Sequence, residues 1–191
     1  VVTPGDCPNS YTIVRTWTFT DGCDNTSEVS QTITVNDTTA PNAPTAPADI
    51  VLECADAIPT GMDLSATDNC DGVITASPVD DITPGACPNQ YTIVRSWTFT
   101  DGCGNETVIS QTIEINDDTA PVAPAAPADV NVECSENVPA PITLTAQDNC
   151  DGPITVTPTE NIIPGGCPNA YTLIRTWTFT DICGNTTSIE Q

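Results

Sequence analysis

Residues 91–105 read YTIVRSWTFTDGCGN, and this stretch decides the fold. Nearly the same letters stand at 11–25 (YTIVRTWTFTDGCDN) and at 171–185 (YTLIRTWTFTDICGN), so the stretch recurs with a step of 80 residues. Alternating apolar and polar residues followed by a loop containing Gly and Asn are typical of a long β-strand that ends in a tight turn. We therefore predict that each copy is the central strand of a repeated domain.

One face of this strand is expected to line a core. Side chains of an extended strand alternate between the two faces of the sheet, so every second residue shares a face. The face that carries the large apolar residues comprises Tyr91, Ile93, Arg95, Trp97 and Phe99. The arginine is unexpected there, because a charge on a core face needs a partner.

Two explanations fit this arginine, which recurs as Arg175 in the next repeat. The predicted one is a core ion pair with a glutamate that precedes a cysteine in the first strand, Glu53 for Arg95 and Glu133 for Arg175. In the alternative, the aliphatic part of the arginine packs on the tryptophan ring while the guanidinium reaches water.

The 80-residue period divides the chain into three parts. Residues 1–40 are the C-terminal half of a repeat, 41–120 are a complete repeat, and 121–191 are a repeat that lacks the end of its last strand. We expect the chain to be part of a longer array. Short alternating segments predict further strands, and Gly-, Pro- and Asp-rich runs predict turns; the strands are expected at 48–54, 62–68, 73–79 and 107–116, and a turn at 80–89. The predicted fold is all-β, a tandem array of immunoglobulin-like β-sandwich repeats with two disulfides in each.

Proline recurs at every third residue where the complete repeat begins, at Pro41, Pro44 and Pro47. This spacing fits a stiff polyproline II spacer of about 3.1 Å per residue between repeats. It fits equally an edge segment that lies on its own repeat.

Ten cysteines follow recurring steps of 16, 31, 16 and 17 residues. Regular cysteines in small β-rich repeats indicate a disulfide framework and an oxidising, extracellular compartment. A zinc site is disfavoured, since the chain has no histidine and no C-x-x-C pair.

The length of the long strand limits how the cysteines pair. Ten extended residues span about 33 Å, whereas bridged Cα atoms lie within about 7 Å, so Cys87 cannot bond to Cys103. An immunoglobulin-like strand order predicts bonds within each repeat: Cys54–Cys87, Cys70–Cys103, Cys134–Cys167 and Cys150–Cys183, with Cys7 and Cys23 bonded to residues upstream. The rival scheme of 16-residue loops pairs Cys7 with Cys23.

The charge of the chain excludes several classes of function. Its 26 acidic residues stand against three arginines and no lysine, which gives a net charge of −23. Nucleic acids and anionic membrane surfaces need basic patches, so neither is an expected partner. The sequence contains no run of 18 apolar residues, so it predicts no membrane-spanning helix. We expect no enzyme, because no nucleophile–base constellation is visible.

Acidic loops are predicted to converge where one repeat follows another. Hard oxygen ligands gathered at a domain junction are what Ca²⁺ requires, although Asp and Asn also cap turns of this kind with their own side chains. The candidate calcium ligands are Asn36, Asp37, Asp68, Asp71, Asp101 and Asn105 at the first junction, and Asp117, Asp148, Asp151, Asp181 and Asn185 at the second.

The run ATDNCDG at 66–72, a long strand ending in TDGCGN, and a following D-x-T-A-P resemble the hyalin-repeat family. The resemblance covers the whole chain and is to the four-cysteine, hyalin-like repeats of giant secreted bacterial surface proteins in particular. It implies an immunoglobulin-like sandwich in tandem array that is extracellular and often adhesive, and that serves as the stalk of a surface adhesin.

The sequence therefore supports two possible functions. The first is a structural module of a disulfide-stapled rod, whose partners are the neighbouring repeats of its own chain and identical chains in a filament or bundle. The second is a ligand- or glycan-binding adhesive repeat that acts through avidity. A binding surface calls for exposed aromatic residues, and the pattern assigns every Trp and Tyr to the core, which favours the structural module.

Overall fold

The computed structural model describes residues 1–133 and 137–191, and the regular structure in these ranges is β with no α-helix. Fourteen strands are formed there: β1 Val2–Pro4, β2 Tyr11–Thr20, β3 Thr26–Val35, β4 Ile50–Glu53, β5 Leu64–Asp68, β6 Gly72–Ala76, β7 Val79–Pro84, β8 Tyr91–Thr100, β9 Glu106–Asn116, β10 Leu144–Asp148, β11 Gly152–Val156, β12 Thr159–Pro164, β13 Tyr171–Thr180 and β14 Thr186–Glu190. The predicted all-β class and the tandem β-sandwich repeats are confirmed.

The strands form three sheets and two hairpins within the described ranges. The sheet orders are β1-β2-β3, β4-β9-β8-β7 and β12-β13-β14, and the hairpins are β5-β6 and β10-β11. The predicted turn at 80–89 begins too early, because residues as far as Pro84 belong to β7. The turn itself follows, closed by the Gly85 amide donating to the Gln90 carbonyl over 2.7 Å.

The long strand has the predicted two faces. Ile93, Arg95, Trp97 and Phe99 are all buried on β8, while the alternate residues are all exposed or half-buried. The same alternation recurs on β13. The period of two in the sequence therefore identified the core face, including its arginine.

The chain divides into two compact units whose bounds cut across the sequence repeats. Unit 1 comprises Val1–Asp49, Pro59–Asp81 and Val94–Thr112, and unit 2 comprises Ile50–Ile58, Ile82–Ile93 and Ile113–Gln191. Strands β8 and β9 are ten and eleven residues long, and the division falls inside both. Each unit therefore combines residues of successive repeats.

Hairpin β5-β6 forms the core of unit 1. Its Ala66 and Ala76 pack against Trp97 and Phe99, and the indole Nε1 donates to the Met62 carbonyl over 2.9 Å. Unit 2 has a corresponding cluster, in which Ala146, Trp177 and Phe179 are buried, and a second cluster whose buried members are Ile93, Ile113 and Ile115.

The first copy of the long strand lacks such cover. Trp17 is 45% exposed and Phe19 is 61% exposed, whereas Trp97 is 1% exposed. The expectation that every tryptophan lies in a core is therefore wrong for Trp17. Within the described residues, the β1-β2-β3 sheet has no hairpin placed as β5-β6 is placed over Trp97.

The proline-containing segment that opens the complete repeat lies on its own repeat. Asn42 exchanges two backbone hydrogen bonds with Thr67, at 2.8 and 3.1 Å. Thr107 donates its hydroxyl to the Pro41 carbonyl over 2.6 Å, and Gln111 donates its amide to the Ala48 carbonyl over 2.7 Å. These contacts favour the edge segment over a free spacer.

Candidate cation site and the disulfide framework

Three disulfides are formed by the described residues, and each joins one sequence repeat to the next. They are Cys7–Cys103, Cys54–Cys150 and Cys87–Cys183, with Cα atoms 4.9, 5.8 and 5.2 Å apart. All three span 96 residues, which is one 80-residue period plus the 16-residue step across the long strand. The framework therefore repeats with the sequence but crosses the repeat boundaries.

The predicted pairing within repeats is wrong. Cys54–Cys87, Cys70–Cys103 and Cys150–Cys183 are not formed, and Cys7 bonds downstream rather than upstream. Cys134 lies outside the described residues, and its predicted partner Cys167 is unbonded there, as are Cys23 and Cys70. The exclusion of a Cys87–Cys103 bond is confirmed, because Cys87 bonds to Cys183 and Cys103 to Cys7.

The disulfides join successive repeats because loops of successive repeats lie against each other. In unit 1 the loop that precedes one long strand lies against loops of the following repeat, where Asn9 donates its amide to Asp71 Oδ1 over 2.6 Å. In unit 2 Asn89 donates in the same way to Asp151 over 2.7 Å. A prediction made within one repeat has no access to these contacts. The asparagines that make them were not singled out from the sequence.

The loop after each long strand is organised by its first aspartate. Asp101 Oδ1 accepts the amides of Cys103 and Asn105, both at 2.8 Å, and Asp101 Oδ2 accepts the Asn105 side chain at 2.7 Å. Although burial acts to raise the pKa of Asp101, these hydrogen bonds outweigh it and hold the pKa below its ordinary value. Asp21 and Asp181 make the same bonds in the other copies.

The loop of each hairpin is organised in the same manner. Asp68 Oδ1 accepts the amides of Cys70 and Asp71 at 2.8 and 2.9 Å, and Asp148 Oδ1 accepts the equivalent pair at 2.8 Å each. The predicted turn-capping role of these aspartates is therefore present. One oxygen of each carboxylate remains outside the turn.

These loops bring most of the predicted ligands together. Carboxylate oxygens of four residues, one from each, lie within 4.8 Å of one another in unit 1. We call them the first acidic cluster: Asp37, Asp68, Asp71 and Asp101. In unit 2, carboxylate oxygens of three residues lie equally close to one another. We call these residues the second acidic cluster: Asp117, Asp148 and Asp151. Members of the two clusters are 80 residues apart in the sequence.

The other predicted ligands have other partners. Asn105 and Asn185 donate their amides to the backbone carbonyls of Asp37 and Asp117, at 3.3 and 3.0 Å, and so fasten the linker to the loop. Asn36 accepts the Ser10 hydroxyl at 3.1 Å. Asp181 is buried beside the second cluster, and its charge contributes to raising the pKa of Asp117.

Several carboxylate oxygens in the clusters are buried without a hydrogen bond from the protein. They are Asp37 Oδ2 and Asp68 Oδ2 in the first cluster, and Asp117 Oδ1 and Asp148 Oδ2 in the second. Burial raises the pKa of Asp117, and the charges of Asp181, Asp148 and Asp151 raise it further, against one lowering hydrogen bond from Asn89. Burial and the neighbouring charges therefore disfavour the ionised form of Asp117 unless positive charge is added.

The core arginines have partners other than those predicted. Arg95 forms a two-point ion pair with Asp80, at 2.7 and 2.9 Å, and donates to the Pro59 carbonyl at 2.8 Å. Arg175 pairs with Glu160 at 2.9 Å. The predicted pairs with Glu53 and Glu133 are wrong, because β7 and β12 place their acids beside the long strand. The recurrence of an acid at positions 80 and 160 is the signal that sequence reasoning missed.

Glu53 instead belongs to the surroundings of the second cluster. Thr119 donates its hydroxyl to Glu53 Oε1 over 3.2 Å. A hydrogen bond with the Asp118 carboxyl and partial burial raise the pKa of Glu53. Glu133 is exposed.

We expect Asp80→Asn to destabilise the chain by about 2 kcal/mol at pH 7, because it leaves the buried Arg95 guanidinium without its anion. Arg95 lowers the pKa of Asp80, so the stabilisation is complete above the ordinary aspartate pKa and is lost as pH falls through the lower, folded-state value. Denaturant unfolding at pH 7 and at pH 3 measures both effects, and the difference between variant and wild type should shrink at pH 3.

Asp81→Asn is the matched control, since Asp81 is the next residue of β7 and is exposed. It should change the unfolding free energy by less than about 0.5 kcal/mol. Equal losses in the two variants would contradict a specific role for the Asp80 ion pair.

No helix among the residues described is both long and apolar enough to cross a membrane. Comparison with known families gives a match to the model of the HYR-like domain with 4 cysteines at residues 41–115 and again at 122–191. A search of curated proteins found no match.

Proposed function

The chain belongs to the family of HYR-like domains with four cysteines, and we propose that it is a structural module of an extracellular stalk or filament. HYR-like domains and disulfide bonds are typical of extracellular proteins. We further propose that the protein containing this module is an adhesin or surface appendage. The module would act as its stalk and hold it away from the cell.

The disulfide framework carries this proposal. Because each bond joins successive repeats, a force applied to the ends of the chain reaches Cys7, crosses to Cys103, returns along β8 to Cys87 and crosses to Cys183. This covalent path contains roughly 33 residues and extends at most about 120 Å, whereas the full chain could extend about 650 Å. A module that limits its own extension suits a load-bearing stalk.

Single-molecule stretching between the two ends tests this mechanical role. The oxidised chain is expected to stop extending at about 120 Å, and the reduced chain to reach about 650 Å. Disulfides within repeats, such as Cys54–Cys87 and Cys134–Cys167, would leave a path of roughly 125 residues and a limit of about 440 Å. An oxidised chain that extends beyond about 400 Å would overturn the load-bearing proposal.

The partners proposed for this module are the neighbouring repeats of its own chain and identical chains in a filament or bundle. The net charge of −23 keeps parallel chains apart in solution unless cations screen it. Sedimentation at low and high ionic strength tests the second partner, and a chain that stays monomeric in both conditions counts against bundling.

A further inference from the structure

We propose that each acidic cluster is a calcium site: Asp37, Asp68, Asp71 and Asp101 bind one ion, and Asp117, Asp148 and Asp151 bind another. The proposal does not depend on the stalk function. It assigns a ligand to residues that otherwise only cap turns.

Unpartnered oxygens are the first observation that points to a cation. Asp37 and Asp117 are 7% and 6% exposed, and one oxygen of each accepts no hydrogen bond from the protein. The same holds for the buried Oδ2 atoms of Asp68 and Asp148. A buried carboxylate oxygen without a donor loses hydration and gains nothing in return. These carboxylates approach the other members of their clusters to within 4.8 Å.

Uncompensated charge is the second observation. Four carboxylates meet in the first cluster and three in the second, and at such distances like charges repel strongly in a partly buried site. The chain has only three basic side chains. Both ion pairs found among residues 1–133 and 137–191 use arginines bound elsewhere, to Asp80 and Glu160. A bound divalent cation would supply the missing positive charge.

The donor set favours calcium over other cations. The proposed donors are carboxylate oxygens, and all except those of Asp68 and Asp148, the last residues of β5 and β10, are held by loops. Ca²⁺ accepts six to eight oxygens in flexible geometry, with water completing the shell, while Mg²⁺ demands near-ideal octahedral geometry. Zinc prefers nitrogen and sulfur. The two sulfurs beside the second cluster, those of Cys54 and Cys150, are joined in a disulfide, and the first cluster has one free thiol, Cys70, within 4.8 Å of Asp37 and Asp68. Carboxylate oxygens therefore predominate in both clusters.

The second site repeats the first with independent residues. Asn185 fastens the linker carbonyl of Asp117 as Asn105 fastens that of Asp37. Asn89 holds Asp151 as Asn9 holds Asp71. Two sites built in the same way predict two ions per chain with similar affinities.

Calorimetric titration of the disulfide-bonded chain with CaCl₂ tests the stoichiometry, and thermal melts in calcium, magnesium and chelator test the linkage. We expect two calcium ions per chain. At calcium a hundredfold above Kd, the two ions together should raise Tm by about 10–20 °C relative to chelator. Magnesium at the same concentration should give a smaller rise.

Asp37→Asn provides the decisive variant. It should reduce the stoichiometry from two ions to one and lower Tm in calcium. In chelator it should leave Tm unchanged or raise it, because it removes one charge from a repelling cluster. A loss of Tm in both conditions would indicate misfolding, and Asp68→Asn then repeats the stoichiometry measurement in the same cluster.

Asp21→Asn is the matched control. Asp21 makes the same loop hydrogen bonds as Asp101 but is exposed and belongs to neither cluster. The control should keep two ions per chain, while Asp101→Asn should keep one. Identical melts in calcium and chelator, or two ions bound by Asp37→Asn, would overturn the proposal.

Discussion

Replacing Cys7 and Cys103 together with alanine is expected to lower the unfolding free energy of the chain by up to about 4.7 kcal/mol. The bond between them closes a loop with a sequence separation of 96 residues, and in the chain-entropy account a loop of this length restricts the unfolded chain by about that amount. The double variant avoids leaving a free thiol that could exchange with another bond. Denaturant unfolding under non-reducing conditions measures the loss.

Cys23→Ala separates this effect from any general role of cysteine in the loop. Cys23 occupies the same position after its long strand as Cys103 does, yet it is unbonded and exposed. Its replacement should change the unfolding free energy by less than about 0.5 kcal/mol. Digestion without reduction, followed by mass spectrometry, should recover a peptide that joins Cys7 to Cys103. A recovered Cys70–Cys103 peptide would restore the pairing within repeats.

The sequence was sufficient for the features that depend on local pattern. The period of two along β8 placed Trp97 and Phe99 on the buried face because alternation is a property of the strand itself. The length of the same strand excluded the Cys87–Cys103 bond by distance alone. Neither inference needed knowledge of what the strand packs against.

The sequence was not sufficient for partners chosen by packing between repeats. Cys54 and Cys87 bond to residues of the following repeat, and a repeating sequence offers each cysteine an equivalent partner in every repeat. The sequence favours Glu53 as the partner of Arg95 because residues 80–89 have the composition of a turn, which conceals the strand β7 that carries Asp80. Both errors have the same origin. The partner of a cysteine or of a buried arginine is determined by tertiary contacts, and the sequence shows only that the residues involved recur every 80 positions.

The acidic clusters lie between these cases. Asp37, Asp68, Asp71 and Asp101 lie together, as the sequence predicts, because an immunoglobulin-like strand order brings the linker and the two loops to the same end of the sandwich. The asparagines were assigned as ligands because an amide oxygen is also a possible donor atom. In the structure the Asn105 amide instead donates to Asp101 and to the Asp37 carbonyl. The surrounding hydrogen-bond donors and acceptors determine whether the oxygen or the NH₂ group of an amide faces a site. The composition of the loop does not show how these groups are arranged.

Trp97→Ala is expected to cost about 3–5 kcal/mol of unfolding free energy, the range typical of a large aromatic residue removed from a packed core. The indole is 1% exposed and packs against Ala66, Ala76 and Phe99. Its loss also leaves the Met62 carbonyl without the 2.9 Å hydrogen bond from Nε1. Denaturant unfolding with the disulfides intact measures the cost.

Trp17→Ala is the control that the repeat itself supplies. Trp17 stands at the same position of the same motif but is 45% exposed, and no hairpin within the described residues covers it. Its replacement should cost no more than about 1 kcal/mol, because only part of the ring leaves an apolar contact. Trp177→Ala, by contrast, should match Trp97→Ala, since Trp177 is fully buried and donates to the Ile142 carbonyl over the same 2.9 Å. If all three replacements cost the same, the long strand rather than the hairpin above it would be the source of stability. If the costs divide as expected, each repeat is stabilised when its hairpin closes over the tryptophan, and the motif that decides the fold is stable only together with that cover.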